Sequence, residues 1–133
     1  MNSMQKSVLI VEDEVLVAWD EAQAVEDAGY DVIGPAHDLS SAMNLARESN
    51  PAVAVLDINL GDVTVFPLAE YLERSGVPFA FVTADLQHPE LRNRYAKFPR
   101  LTKPISEKDL IAAVNQLFGA LGSEAIEKVS ARR

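Results

Sequence analysis

The hydrophobic pattern of this chain comes in two alternating kinds. Residues 7–11 (Ser-Val-Leu-Ile-Val), 52–56 (Ala-Val-Ala-Val-Leu) and 77–82 (Val-Pro-Phe-Ala-Phe-Val) are apolar without alternation. An unbroken run buries both of its faces, which is the habit of a strand inside a parallel sheet covered by helices on each side. Residues 31–36 make a weaker strand, where Gly34 and Pro35 fit an edge position. Residues 100–102 make a short fifth one.

Between the runs, apolar residues recur at helical spacing. Val15, Leu16, Trp19, Ala22 and Val25 predict a helix over 15–28 with that stripe inside, Trp19 packed in the core, and Gly29 at its end. Ala42, Met43, Leu45 and Ala46 predict a second, opened by Asp38 or Ser40 and stopped at Asn50-Pro51. A third carries Val65, Leu68, Ala69 and Leu72, with Thr64 as its cap, Pro67 in its first turn and Ser75-Gly76 after it. The last carries Leu110, Val114, Leu117, Phe118 and Leu121, and Ser106 with Asp109 opens it as an acidic capping box. Residues 84–99 are the least legible. Leu86, Leu91, Tyr95 and Phe98 lie scattered between Pro89 and Pro99 breaks, and one short helix over about 89–97 is all the pattern supports.

Strand then helix, five times over, predicts an α/β fold. Right-handed crossovers make it a doubly wound five-stranded parallel sheet with helices on both faces, in the order 2-1-3-4-5. The domain is expected over residues 1–121, with 1–6 a frayed lead-in. Gly119 and Gly122 weaken the last helix, so residues 122–133 read as a polar tail with at most a loose helical turn or two.

Composition narrows the function. The chain has 133 residues, enough for one domain with a real core and too few for two. A formal net charge of −8 argues against nucleic-acid binding and suits cations or basic, amphipathic partners. With no cysteine, thiolate metal sites and cysteine nucleophiles are excluded. No apolar run reaches membrane-spanning length and no signal-peptide layout is present, so no membrane is expected and the location expected is cytoplasmic. Arg92, Arg94, Lys97 and Arg100 form the one basic patch, read first as a solvated helix face. His37 and His88 need no special role.

The chemistry sits at the strand ends. The first strand runs into Glu12 and Asp13, the third into Asp57, the fourth into Thr83 and the fifth into Lys103. A parallel sheet puts these ends on one edge, where ligands bind in open α/β folds. Asp57 alone could as well cap a loop. Together, three carboxylates repel and raise one another's pKa, a lysine offsets part of this, and Mg²⁺ offsets more. A carboxylate beside Mg²⁺ can take a phosphoryl group as an acyl phosphate, with lysine and metal stabilising the transferring oxygens. Thr83 can hydrogen-bond one of those oxygens, and small Ala84 leaves room for them.

Glu12-Asp13, Asp57, Thr83 and Lys103-Pro104, in this order on these strand ends, resemble the receiver domain of two-component response regulators, over about residues 7–121. The resemblance implies a flavodoxin-like fold and Asp57 as acceptor of phosphoryl from a histidine of a sensor kinase or phosphotransfer protein. It implies Mg²⁺ held by Asp13, Asp57 and the carbonyl of Asn59, with Glu12 acting through water. It implies Thr83 as switch hydroxyl, Lys103 as phosphoryl clamp, and a cis bond at Lys103-Pro104. Arg100 stands where receivers usually carry an aromatic switch residue. Residues 78–85 are similar to a Pro-Phe-x-Phe-Ala-Thr-Gly-Tyr signature of an alphaproteobacterial receiver subfamily, in which the following segment is mobile, and depart from it at Ala84 and Asp85.

A tail this short leaves no DNA-binding module, so a stand-alone receiver is expected, monomer or weak homodimer, relaying phosphoryl or binding a downstream protein. It would not be an enzyme beyond slow self-dephosphorylation. Two alternatives stay open. One is a receiver-like binding module that takes no phosphate. The other is an aspartyl-phosphate phosphatase, for which Asn59 is a poor general acid two residues after Asp57.

Overall fold

The computed structural model describes residues 6–131, so nearly all of the lead-in expected at the N-terminus lies outside the described residues. The elements are β1 (Ser7–Val11), α1 (Val15–Asp27), β2 (Asp31–Ala36), α2 (Leu39–Ser49), β3 (Val53–Asp57), β4 (Asn59–Leu60), β5 (Val63–Thr64), α3 (Phe66–Arg74), β6 (Phe79–Thr83), α4 (Pro89–Arg92), β7 (Arg100–Thr102) and α5 (Glu107–Ala131). The main sheet is parallel with order β2-β1-β3-β6-β7, the expected order once the two-residue pair β4–β5 is set aside.

The unbroken runs behave as their lack of alternation requires. In β1, Leu9 and Val11 point to one face and Val8 and Ile10 to the other; β3 and β6 divide in the same way. One face packs against α2, α3 and α4 through Ala42, Ala46, Leu68, Leu72 and Leu91. The opposite face packs against α1 and α5 through Val25, Leu110, Val114 and Leu117. Both layers are apolar, and the polar groups gather where the strands end.

Several local signals work as the side chains dictate. Asp38 caps α2 by accepting from the Ser41 amide at 2.7 Å, and Asn50 closes that helix in the left-handed region. Ser106 Oγ accepts from the Asp109 amide at 3.0 Å, the Ser half of the capping box. The Lys103–Pro104 bond is cis, as is Gly34–Pro35. Gly34 has φ +94°, and a Cβ there would lie 2.7 Å from the Ala36 nitrogen and 3.2 Å from the Ile10 carbonyl. Gly34→Ala is therefore expected to lower the unfolding free energy by about 2 kcal/mol, read by urea denaturation. A loss within error of zero would show that β2 relaxes freely around the site.

Four expectations are corrected. In α1 the stripe facing the sheet is Ala18, Glu21 and Val25, with Ala24 beside it; Val15, Leu16 and Trp19 are out, and Trp19 is 69% exposed. Small residues at 18 and 24 let the helix lie close to the sheet, and that approach fixes the rotation rather than side-chain size. Thr64 does not cap α3: it pairs with Asn59 in a two-residue hairpin whose turn is Gly61-Asp62, and the N-cap is Val65. The fourth helix is one turn, Pro89–Arg92, followed by turns to residue 97. The last helix continues through Gly119 and Gly122 to Ala131, longer than the loose turn or two expected of the tail.

Candidate functional site

The rim is built by backbone register. Val11 pairs with Leu56, and Asp57 with Val82, so the β1, β3 and β6 ends lie level. The Glu12 amide donates to the Ala36 carbonyl, and His37 Nδ1 lies 3.0 Å from the Glu12 carbonyl, holding the chain where β1 turns outward. The Lys103 amide donates to the Thr83 carbonyl at 2.9 Å, carrying the lysine from β7 over the β6 end.

Lys103 Nζ then lies 3.2 Å from Asp57 Oδ2 and 3.2 Å from Glu12 Oε1, with Glu14 Oε1 at 4.0 Å. Oxygens of Glu12, Asp13 and Asp57 all fall within 4.8 Å of one another. Asp57 is 4% exposed and Glu12 1%, so their repulsion is poorly screened. Burial first, then the Glu12 charge, pushes the Asp57 carboxyl up to about 8, and Lys103 only partly offsets this. For Asp13 burial pushes up, but hydrogen bonds with Asp57 and Glu12 outweigh it and the net direction is down. Burial also works against the Lys103 ammonium, yet Asp57 and Glu12 hold it above the ordinary lysine range. Three carboxylates served by one ammonium leave negative charge uncompensated, and a hard cation taking oxygen ligands fits that donor set.

Thr83 is 2% exposed at the adjoining strand end, and its hydroxyl accepts from the Asp85 amide at 3.0 Å. Asn59 lies two residues past Asp57, exposed, at the start of the β4–β5 hairpin.

The basic patch is taken apart. Arg94 pairs with Glu73 at 3.1 Å and Glu70 at 3.6 Å. Arg100 turns back under the α4–β7 segment, where its guanidinium donates to the carbonyls of Leu91, Tyr95, Ala96 and Phe98. Arg92 and Lys97 stay exposed. Glu21, buried on α1 within the electrostatic reach of Glu12 and Lys103, is a residue that sequence reasoning passed over. Its signal was positional: it falls between Ala18 and Val25 at i+3 and i−4, on the small-residue stripe rather than the large one.

Comparison with known proteins agrees with the geometry. The family described as "Response regulator receiver domain" matches residues 8–115. The "Transcriptional regulatory protein PdtaR" of Mycobacterium tuberculosis is 30% identical over 115 residues, 84% of this chain and 56% of that protein. The chain thus spans about half the length of that relative. The "Polar-differentiation response regulator DivK" of Brucella anthropi is 32% identical over 122 residues, 87% of this chain and 98% of that protein. A solved CheY-like response regulator receiver domain protein from Methanospirillum hungatei superposes with a TM-score of 0.80 at 23% identity, over 90% of this chain and 98% of that one. Among the described residues no helix is long and apolar enough to cross a membrane.

Proposed function

The chain belongs to the response regulator receiver domain family of two-component signalling, and from that premise we propose that Asp57 accepts a phosphoryl group from a phosphohistidine of a sensor kinase or phosphotransfer protein. The observation that carries this is Lys103 Nζ at 3.2 Å from both Asp57 and Glu12, beside the three-carboxylate cluster.

An Asp57 oxygen attacks phosphorus, the phosphorus–nitrogen bond breaks, and its electron pair returns to the imidazole of the donor. Lys103, already against Asp57, moves its ammonium onto the phosphoryl oxygens as the acyl phosphate forms. Thr83 releases the Asp85 amide and donates its hydroxyl to another. Asp13, Asp57 and the Asn59 carbonyl would hold Mg²⁺, with Glu12 acting through water, and the ion supplies charge neutralisation for the incoming phosphoryl group.

The likeness to DivK over nearly its whole length supports a stand-alone receiver that relays phosphoryl or switches partner binding. Residues 78–83 support the alphaproteobacterial subfamily, up to the departures at Ala84 and Asp85. Arg100 stands in the place of a switch aromatic, and its guanidinium is held by carbonyls of the segment between α4 and β7.

Beryllofluoride with Mg²⁺ is expected to shift amide resonances around Asp57, Thr83 and Lys103, and Asp57→Asn to abolish the response. Unmoved amides in the native protein would leave a binding module without phosphorylation.

A further inference from the structure

His37 stands between the end of β2 at Ala36 and the N-cap of α2 at Asp38. Its backbone is tied on both sides. The Ala36 carbonyl accepts from the Glu12 amide at 3.0 Å, and the Asp38 carboxylate accepts from the Ser41 amide at 2.7 Å. From this fixed base the imidazole reaches back to the end of β1, where its Nδ1 lies 3.0 Å from the Glu12 carbonyl oxygen. A carbonyl only accepts, so the proton in this bond sits on Nδ1.

The bond closes a two-point clasp. Residues 36 and 37 hold the amide and the carbonyl of Glu12, one through backbone and the other through a side chain. That carbonyl belongs to the peptide joining Glu12 to Asp13, so its orientation sets the direction in which the Asp13 side chain leaves the backbone. Glu12, Asp13 and Glu14 make the whole turn between β1 and α1. The Glu12 carboxylate is held as well: Oε2 accepts from the Glu14 amide at 3.0 Å, and Oε1 lies 3.2 Å from Lys103. What the imidazole adds is control over rotation of the 12–13 peptide. The ring is exposed, so water can serve the same carbonyl, but water would not tie it to β2.

We propose that His37 is a positioning residue for the divalent cation: by holding the 12–13 peptide it keeps Asp13 aimed at the oxygens of Glu12 and Asp57, and so sets the affinity for Mg²⁺. The inference rests on the reading that Asp13 and Asp57 hold that ion. It asks for no contact between His37 and the metal. Groups that orient a ligand without touching the ion change metal affinity because a misaimed ligand must first be ordered.

The test is a Mg²⁺ titration of the full chain, followed by amide resonances, in the native protein, His37→Ala and His37→Asn. Alanine leaves the carbonyl to water. Asparagine carries an amide nitrogen as many bonds from the backbone as Nδ1, so it can restore the bond. His37→Ala is expected to bind Mg²⁺ about fivefold more weakly, as the loss of one ordinary hydrogen bond would give, and His37→Asn to stay within about twofold of native. In the metal-free native chain, the neutral ring should carry its proton on Nδ1, read from the ring nitrogen shifts. The proposal is overturned if His37→Ala binds Mg²⁺ as tightly as native, if His37→Asn is as weak as His37→Ala, or if the neutral ring carries its proton on Nε2. Those results leave the metal reading standing wherever the native chain binds Mg²⁺; a native chain that binds none overturns both.

Discussion

Arg100→Ala is expected to cost about 3 kcal/mol of unfolding free energy and to speed amide exchange across residues 91–98. The guanidinium donates to the carbonyls of Tyr95 and Ala96 at 2.7 Å, Phe98 at 3.0 Å and Leu91 at 3.3 Å. Those carbonyls belong to a segment with a single helical turn, so few of them find partners in regular structure. Hydrogen bonds to a charged donor contribute roughly 1.5–3 kcal/mol each where burial is complete. Here the donor is half-buried and the bonds are only partly buried, the one to Ala96 exposed, so the sum is well below four times that. The same segment is pinned from beneath by Tyr95 and Phe98, whose rings pack on Phe79 and Phe81. Loss of the clamp should therefore loosen the segment without unfolding the sheet. Arg100→Lys keeps the charge but not the fork of donors, and should recover less than half of the loss. Urea denaturation and hydrogen exchange read both effects; an alanine variant within about 0.5 kcal/mol of native would show that the carbonyls are served equally well by water.

The sheet was legible because it depends on a simple fact: an apolar run without alternation has two buried faces, and residues 7–11, 52–56 and 77–82 have nowhere else to go. The rim followed from it, since parallel strands align their ends, and Glu12, Asp57 and Lys103 do meet. The rotation of α1 was not legible. Counting large apolar residues favours Trp19, but a helix lying close on a sheet is placed by small ones, here Ala18 and Ala24. Glu21 was missed for the same reason. The α4 segment defeated periodicity because its order comes from tertiary contacts: buried Leu91 and Tyr95, and a guanidinium reaching back from β7. Arg100 could be placed opposite the usual aromatic in sequence, but nothing in the sequence says that it points at carbonyls rather than solvent. The last helix passes Gly119 and Gly122 because α5 is already held by Leu110, Val114 and Leu117 on the sheet, and by Phe118 stacked on Tyr30. Two glycines cost about 2 kcal/mol at most, too little to end it.

Without divalent metal, the protein should lose stability as pH rises. Asp57 has an ordinary value of 3.8 and is pushed up to about 8 in the fold, by burial first and then by Glu12. Between these values the folded chain holds a proton that the unfolded chain has released, so the folded state binds more protons and stability falls with pH. The penalty is absent below about pH 4 and complete above about pH 8. Glu21, pushed from 4.5 up to about 7, acts with the same sign over a narrower window inside that one. From pH 5 to pH 8 in chelator, stability is expected to fall by several kcal/mol, most of it through Asp57. Asp57→Asn removes the larger contribution, so that variant should be more stable than the native chain at pH 8 in chelator, although it can accept no phosphoryl group. Mg²⁺ reverses the trend, because it binds the folded carboxylate set and takes the place of the Asp57 proton. Its stabilisation should therefore be larger at pH 8 than at pH 5, where protons compete for the same oxygens. Asp13→Ala should lose most of it. Thermal unfolding at several pH values, with Mg²⁺ and with chelator, separates these outcomes. A metal-free chain that gains stability from pH 5 to pH 8 would mean that Lys103 fully neutralises Asp57 and Glu12, and an undiminished Mg²⁺ effect in Asp13→Ala would place the ion elsewhere.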